Sequence, residues 1–138
     1  MIGAVHACIG ACVGSFFKNK GSALAAGVVS HAVADVIPHK DFDPVIEAPL
    51  LVATLWGIAK WRGVDSPEFC GAIGAISPDI EHGLGIVGLI TNEQKVFPTH
   101  VSDGILHGPE SDERWSQLII ATASLITVAV RGPKSRFS

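Results

Sequence analysis

Phe69-Cys-Gly-Ala-Ile-Gly-Ala-Ile-Ser-Pro78-Asp79-Ile-Glu81-His82-Gly-Leu-Gly-Ile-Val-Gly-Leu-Ile90 is the greasiest run of the chain, yet a proline, two carboxylates and a histidine interrupt its middle. It lacks the period-two alternation of a half-buried strand and is too long for an ordinary one, so it reads as a helix. At about 1.5 Å per residue it is roughly 33 Å long, enough for a bilayer core about 30 Å thick. Unpaired ionisable groups in such a setting cost at least ~2.5 kcal/mol each and mark functional positions. Asp79 and His82 are three apart and share a helix face, whereas Glu81 projects elsewhere. Outside a membrane, Ser77-Pro78-Asp79 also reads as a helix start with Asp79 near the first turn.

Four further apolar blocks lie outward from this one, at 1–17, 22–38, 44–59 and 115–130. Between them are short polar connections and one long polar stretch, 91–114. The chain is therefore expected to form one all-α domain over 1–138, a compact, membrane-embedded bundle of about five helices. Residues 91–114 form its polar loop and 131–138 a tail. Basic residues follow the first block instead of preceding it, which argues against a cleaved signal peptide. Small-residue faces at Gly10-x3-Gly14 and Gly71-x3-Ala75 permit close helix packing in lipid.

Composition supports this reading. Of 138 residues, 48% are hydrophobic and only 17% charged, against about a quarter charged in average domains, and mean hydropathy is +0.41. Disorder is excluded. A net charge of −3 with dispersed basic residues gives no nucleic-acid footprint. Three cysteines, Cys8, Cys12 and Cys70, form no CxxC motif, so neither a disulfide framework nor a thiolate zinc knuckle is indicated.

The second block reads Ser30-His31-x3-Asp35-x2-Pro38-His39-x-Asp41-x-Asp43. His31 and Asp35 are four apart and face one ion from one helix side. Pro38 ends the helix close by, leaving His39 at its mouth. Imidazole and carboxylate suit zinc or another divalent cation; alternatively the pair simply hydrogen-bonds. If the blocks alternate across a membrane, seven basic residues fall on one side and three (Lys40, Lys95, Arg114) on the other. That asymmetry places a multi-pass protein in the cell membrane with its N-terminus outside. His6, His31, His39, His82, His100 and His107 then all fall on the outer side, opposite the basic loops.

His6 followed by Gly10 and Gly14, the Ser30-His31-x3-Asp35-x2-Pro38-His39 string, Pro78-Asp79-Ile80-Glu81-His82 and Thr99-His100 together resemble the small integral-membrane, metal-dependent hydrolases of the bacterial YdjM type. A more distant likeness is to zinc-dependent phospholipase C. The family pattern usually has aspartate where this chain has Glu81. The resemblance covers about the first 110 residues and implies zinc and hydrolysis of a phosphoester or lipid-linked substrate.

A cation held by three or four protein ligands, with an open position, lowers the pKa of its water to about 7. His31, Asp35, Asp79 and His82 are the expected inner ligands, with His6 and His39 completing a first or second ion. His107 is expected to orient a ligand, and Glu81, Asp43 or His100 to serve as general base. The expected partners are the lipid bilayer and a small or amphiphilic substrate arriving laterally, with no nucleic acid. Two other classes use the same residues: a non-catalytic membrane protein that binds or carries divalent metal, and a soluble all-α protein with a buried His/Asp network.

Overall fold

Asn19, Asp43 and Ser66 each begin a helix by accepting a backbone N–H with the side chain, from Ser22, Val45 and Phe69 respectively. This satisfies amides that have no partner within the helix. Pro44 and Pro67 follow two of these caps, where the missing N–H costs nothing. The computed structural model describes residues 1–97 and 115–131. Its helices are α1 (Gly3–Gly14), α2 (Lys20–Asp35), α3 (Pro44–Arg62), α4 (Pro67–Ile86) and α5 (Trp115–Arg131), with one 3-10 turn at Asn92–Gln94. No strand occurs among the described residues. The all-α bundle expected from the five apolar blocks is therefore present. The expected loop 91–114 is described only to Phe97, and the tail only at Arg131.

α2 stops at Asp35, before Pro38, as proline sterics require. α4, by contrast, runs straight through Pro78. The alternative of a helix starting at Ser77-Pro78-Asp79 is corrected accordingly: Ser66 and Pro67 supply the start, and the Ser77 hydroxyl instead donates back to the Ile73 carbonyl at 2.7 Å.

α1 is the central helix and is buried along most of its length. It packs with α2 and α4 as a tight trio, while α3 and α5 lie against it from outside. Glycine sets the closeness of the trio. A Cβ at Gly10 would sit 2.3 Å from the Gly71 carbonyl oxygen, and one at Gly74 would sit 2.1 Å from that of Leu24. Both small-residue faces read from the sequence are thus seated in helix contacts.

The helices run up and down, so the bundle has two unlike ends. One end gathers Lys20, paired with Asp65 at 3.2 Å, the Arg62–Glu68 pair at 2.6 Å, and Arg131 lying 3.8 Å over Phe16. The other end gathers the starts of α1, α3 and α5 and the finish of α2. There the Gly3 amide donates to Glu47, and the Ile2 amide to Gln117, whose own amide donates to the Lys40 carbonyl.

Arg62 and Glu68 are both nearly buried, and breaking such a pair strands a charge. Arg62→Met is expected to lower unfolding free energy by roughly 3–5 kcal/mol, and adding Glu68→Leu to recover most of it. Denaturant titration of the single and double variants measures this.

Outward, α3 and α5 are strongly apolar: Val45 and Val130 are each 80% exposed and Ile119 is 66% exposed. Even so, no helix among the described residues is long and apolar enough to cross a membrane. α4 has the length but carries Pro78, Asp79, Glu81 and His82, α3 carries Glu47, Lys60 and Arg62, and α1 has only 12 residues. The expected 69–90 span ends at Ile86.

Candidate metal centre

At the end opposite Lys20, Arg62 and Arg131, four elements bring polar side chains into the apolar bundle. α1 supplies His6 in its first turn, α2 supplies His31 and Asp35, the 36–43 connection supplies His39, and α4 supplies Asp79. His6, His31, Asp35 and His39 are all at least 98% shielded from solvent.

Asp35 is the hub. Its Oδ1 lies 2.9 Å from His6 Nε2 and its Oδ2 lies 3.1 Å from His31 Nε2. His31 Nε2 is also 3.8 Å from Asp79 Oδ1. The His6 and His31 rings stack with centroids 4.1 Å apart. Potential ligand atoms of His6, His31 and Asp79 all lie within 4.8 Å of one another. Nδ1 of His6 is buried and has no hydrogen-bond partner among the described residues. A carboxylate as deeply buried as Asp35 needs positive charge or strong donors nearby, because desolvating it alone is expensive.

Backbone carbonyls set the orientation of two imidazoles. His31 Nδ1 donates to the Ala75 carbonyl at 2.8 Å, and His39 Nδ1 donates to the Ile37 carbonyl at 2.7 Å. A carbonyl can only accept, so Nδ1 carries the proton in both rings. In the neutral ring Nε2 then holds the lone pair, and this is the usual arrangement by which a protein fixes a metal-binding histidine. Both Nε2 atoms face carboxylates: Asp35 and Asp79 for His31, and Asp41 at 3.6 Å for His39.

No family model, curated protein or solved structure matches this chain.

Of the expected inner ligands, His31 lies against both Asp35 and Asp79, and His6 joins them. Across that distance in sequence, no local spacing could rank His6 above His82. His82 lies one turn beyond Asp79 on α4, with its Nδ1 buried. His39 sits at the mouth, as Pro38 implied.

Two of the candidate bases are engaged by backbone. Asp43 caps α3 through the Val45 amide. Glu81 accepts the amides of Val96 and Phe97, tying the segment after α4 back onto that helix. His100 and His107 lie outside the described residues.

Two carboxylates escaped the sequence reading. Asp41 lies 3.6 Å from His39 and 3.2 Å from the Met1 amine, which is itself 3.2 Å from Asp35. Glu47 is half-buried, accepts the Gly3 amide at 2.8 Å, and stands close enough to Asp41 and Asp79 to feel their charge. The available signal for Asp41 was its place in the alternating His39-x-Asp41-x-Asp43 string; Glu47 had none beyond being an acid in an apolar helix.

Proposed function

We propose that this chain is a membrane-seated, divalent-metal-dependent hydrolase acting on a phosphoester or lipid-linked substrate. The observation that carries the reading is the pair of Nδ1–H groups, on His31 and His39, each held by a backbone carbonyl while Nε2 faces carboxylates. His6, His31, Asp35 and Asp79 would hold one cation, and His39 with Asp41, 3.6 Å apart, would help hold a second. Imidazole and carboxylate together suit zinc. The ion's part is Lewis acidity and a water nucleophile that is active near neutral pH. The protein's part is to fix ligand orientation and to wall the site with the apolar residues Ile2, Val5 and Ala34. The strings that resemble the YdjM-type hydrolases hold five of these residues, His6, His31, Asp35, His39 and Asp79.

Membrane seating is supported by the outward apolar surface of α3 and α5 and by tryptophan near both ends. Trp56 and Trp61 lie toward the basic end and Trp115 toward the metal centre, all of them exposed. Aromatic side chains favour both membrane interfaces, and basic residues favour the cytoplasmic one. The metal centre then faces outward.

Metal-loaded protein is expected to cleave a chromogenic phosphodiester, and Asp35→Asn to slow it at least ~100-fold, in keeping with a disrupted coordination sphere. Metal and activity should fall together as acid protonates the ligands. A metal-bound protein without turnover would favour a sensor or carrier. The direct His6–Asp35 and His31–Asp35 contacts also suit a metal-free network, and elemental analysis showing no metal after loading would establish that reading instead.

A further inference from the structure

An apolar groove of about 690 Å3 runs between α1, α2 and α5, within the range of about 300–1,000 Å3 usual for small-molecule sites. Ile9, Val29, Val33 and Ile120 are among its walls, and Ser30 and Ser124 are its polar side chains. Both serines lie on helices, and the Ser30 hydroxyl already donates to the Gly27 carbonyl at 2.7 Å. Among the described residues the groove therefore offers a ligand almost nothing polar.

At its end nearest the metal centre the groove is bounded by Ala34 and Ile37. These residues interleave with Asp35 and His39, and the carbonyl of Ile37 is the group that holds His39 Nδ1. One short stretch, 34–39, thus lines an apolar slot with some of its residues and the imidazole–carboxylate cluster with others. An extended peptide laid in the slot would leave backbone N–H and C=O groups unpaired, which is costly. A hydrocarbon chain leaves none.

We infer that the groove takes the hydrocarbon tail of a single-chain amphiphile whose polar head reaches the metal centre. The assignment of the head rests on the hydrolase reading above, whereas that of the tail rests on the groove alone. The substrate class is then a lipid or lipid-linked ester that enters sideways from the bilayer.

The test uses protein in bilayer discs with a trace of lysophosphatidylcholine bearing a diazirine at the end of its tail. After illumination, label on Val29, Val33 and Ile120 is expected to exceed that on Val52 and Ile126 at least tenfold. The latter two are outward apolar residues beyond the groove. Val33→Trp fills the slot from an exposed position and is expected to lower groove labelling at least tenfold, with Val29→Trp as a second blocking variant. Equal label on groove and outward residues, or undiminished groove labelling in both tryptophan variants, overturns the assignment. His31→Ala, with metal content read separately by elemental analysis, should keep the groove label. Failure of the metal centre and failure of the tail site therefore give different results.

Discussion

His31→Ala is expected to abolish stoichiometric metal binding, weakening affinity by more than the roughly 10–100-fold that loss of a supporting outer residue costs. The substitution removes the imidazole that lies against both Asp35 and Asp79 and stacks on the His6 ring. It also leaves the buried Asp35 without one of its two imidazole contacts, so the protein should lose stability as well. Circular dichroism guards against misreading an unfolded chain. His31→Gln provides a second variant with a hydrogen-bonding group of similar reach but poor affinity for zinc. Elemental analysis of purified, metal-loaded protein decides the matter, and full metal content in folded His31→Ala would remove this residue from the site. Because His39 Nε2 pairs with Asp41, in the set assigned to the second ion, His39→Ala should spare the first.

Gly71→Val is expected to be the most damaging single change to the fold. A Cβ there would lie 2.2 Å from the Gly10 carbonyl oxygen and 2.9 Å from the Gly14 Cα. Both neighbours are backbone and neither has a rotamer to yield. Overpacking usually costs about 1–3 kcal/mol where side chains can shift. A backbone collision should exceed that and take a large share of the roughly 5–15 kcal/mol that keeps a domain folded. Gly57 is the contrasting position, mid-helix in α3 with nothing within 4 Å of a built Cβ. Gly57→Ala should raise stability by roughly 0.5–1 kcal/mol, the helix penalty of glycine. Denaturant midpoints of the two variants measure the contrast, and a Gly71→Val protein as stable as the parent would show that the trio of α1, α2 and α4 is not held at glycine contact distance.

The same contact explains why the metal centre has its shape. Gly10 and Gly71 let α1 approach α4 closely, one turn of α1 away from His6, while Gly27 meets the same Gly71 carbonyl from α2, one turn before His31. Helix closeness and ligand convergence are therefore one packing event. Loosening either glycine contact should degrade metal binding before the helices themselves melt.

Local chemistry was enough to mark five helices, their up-and-down alternation, and the His31–Asp35 pair. A helix repeats every 3.6 residues, caps and prolines act within one turn, and charge in a connection reports which end it occupies. What only the tertiary structure decided was which distant groups share a sphere. His6 meets Asp35 across 29 positions and His31 meets the Ala75 carbonyl across 44, through a helix register that glycine contacts set and no local pattern encodes. Asp43 and Glu81 looked equally eligible as acids, but both Glu81 oxygens and one Asp43 oxygen accept backbone amides. Asp41 and Glu47 were brought toward the cluster by the turn into α3, because chain direction there depends on how α3 lies against α1.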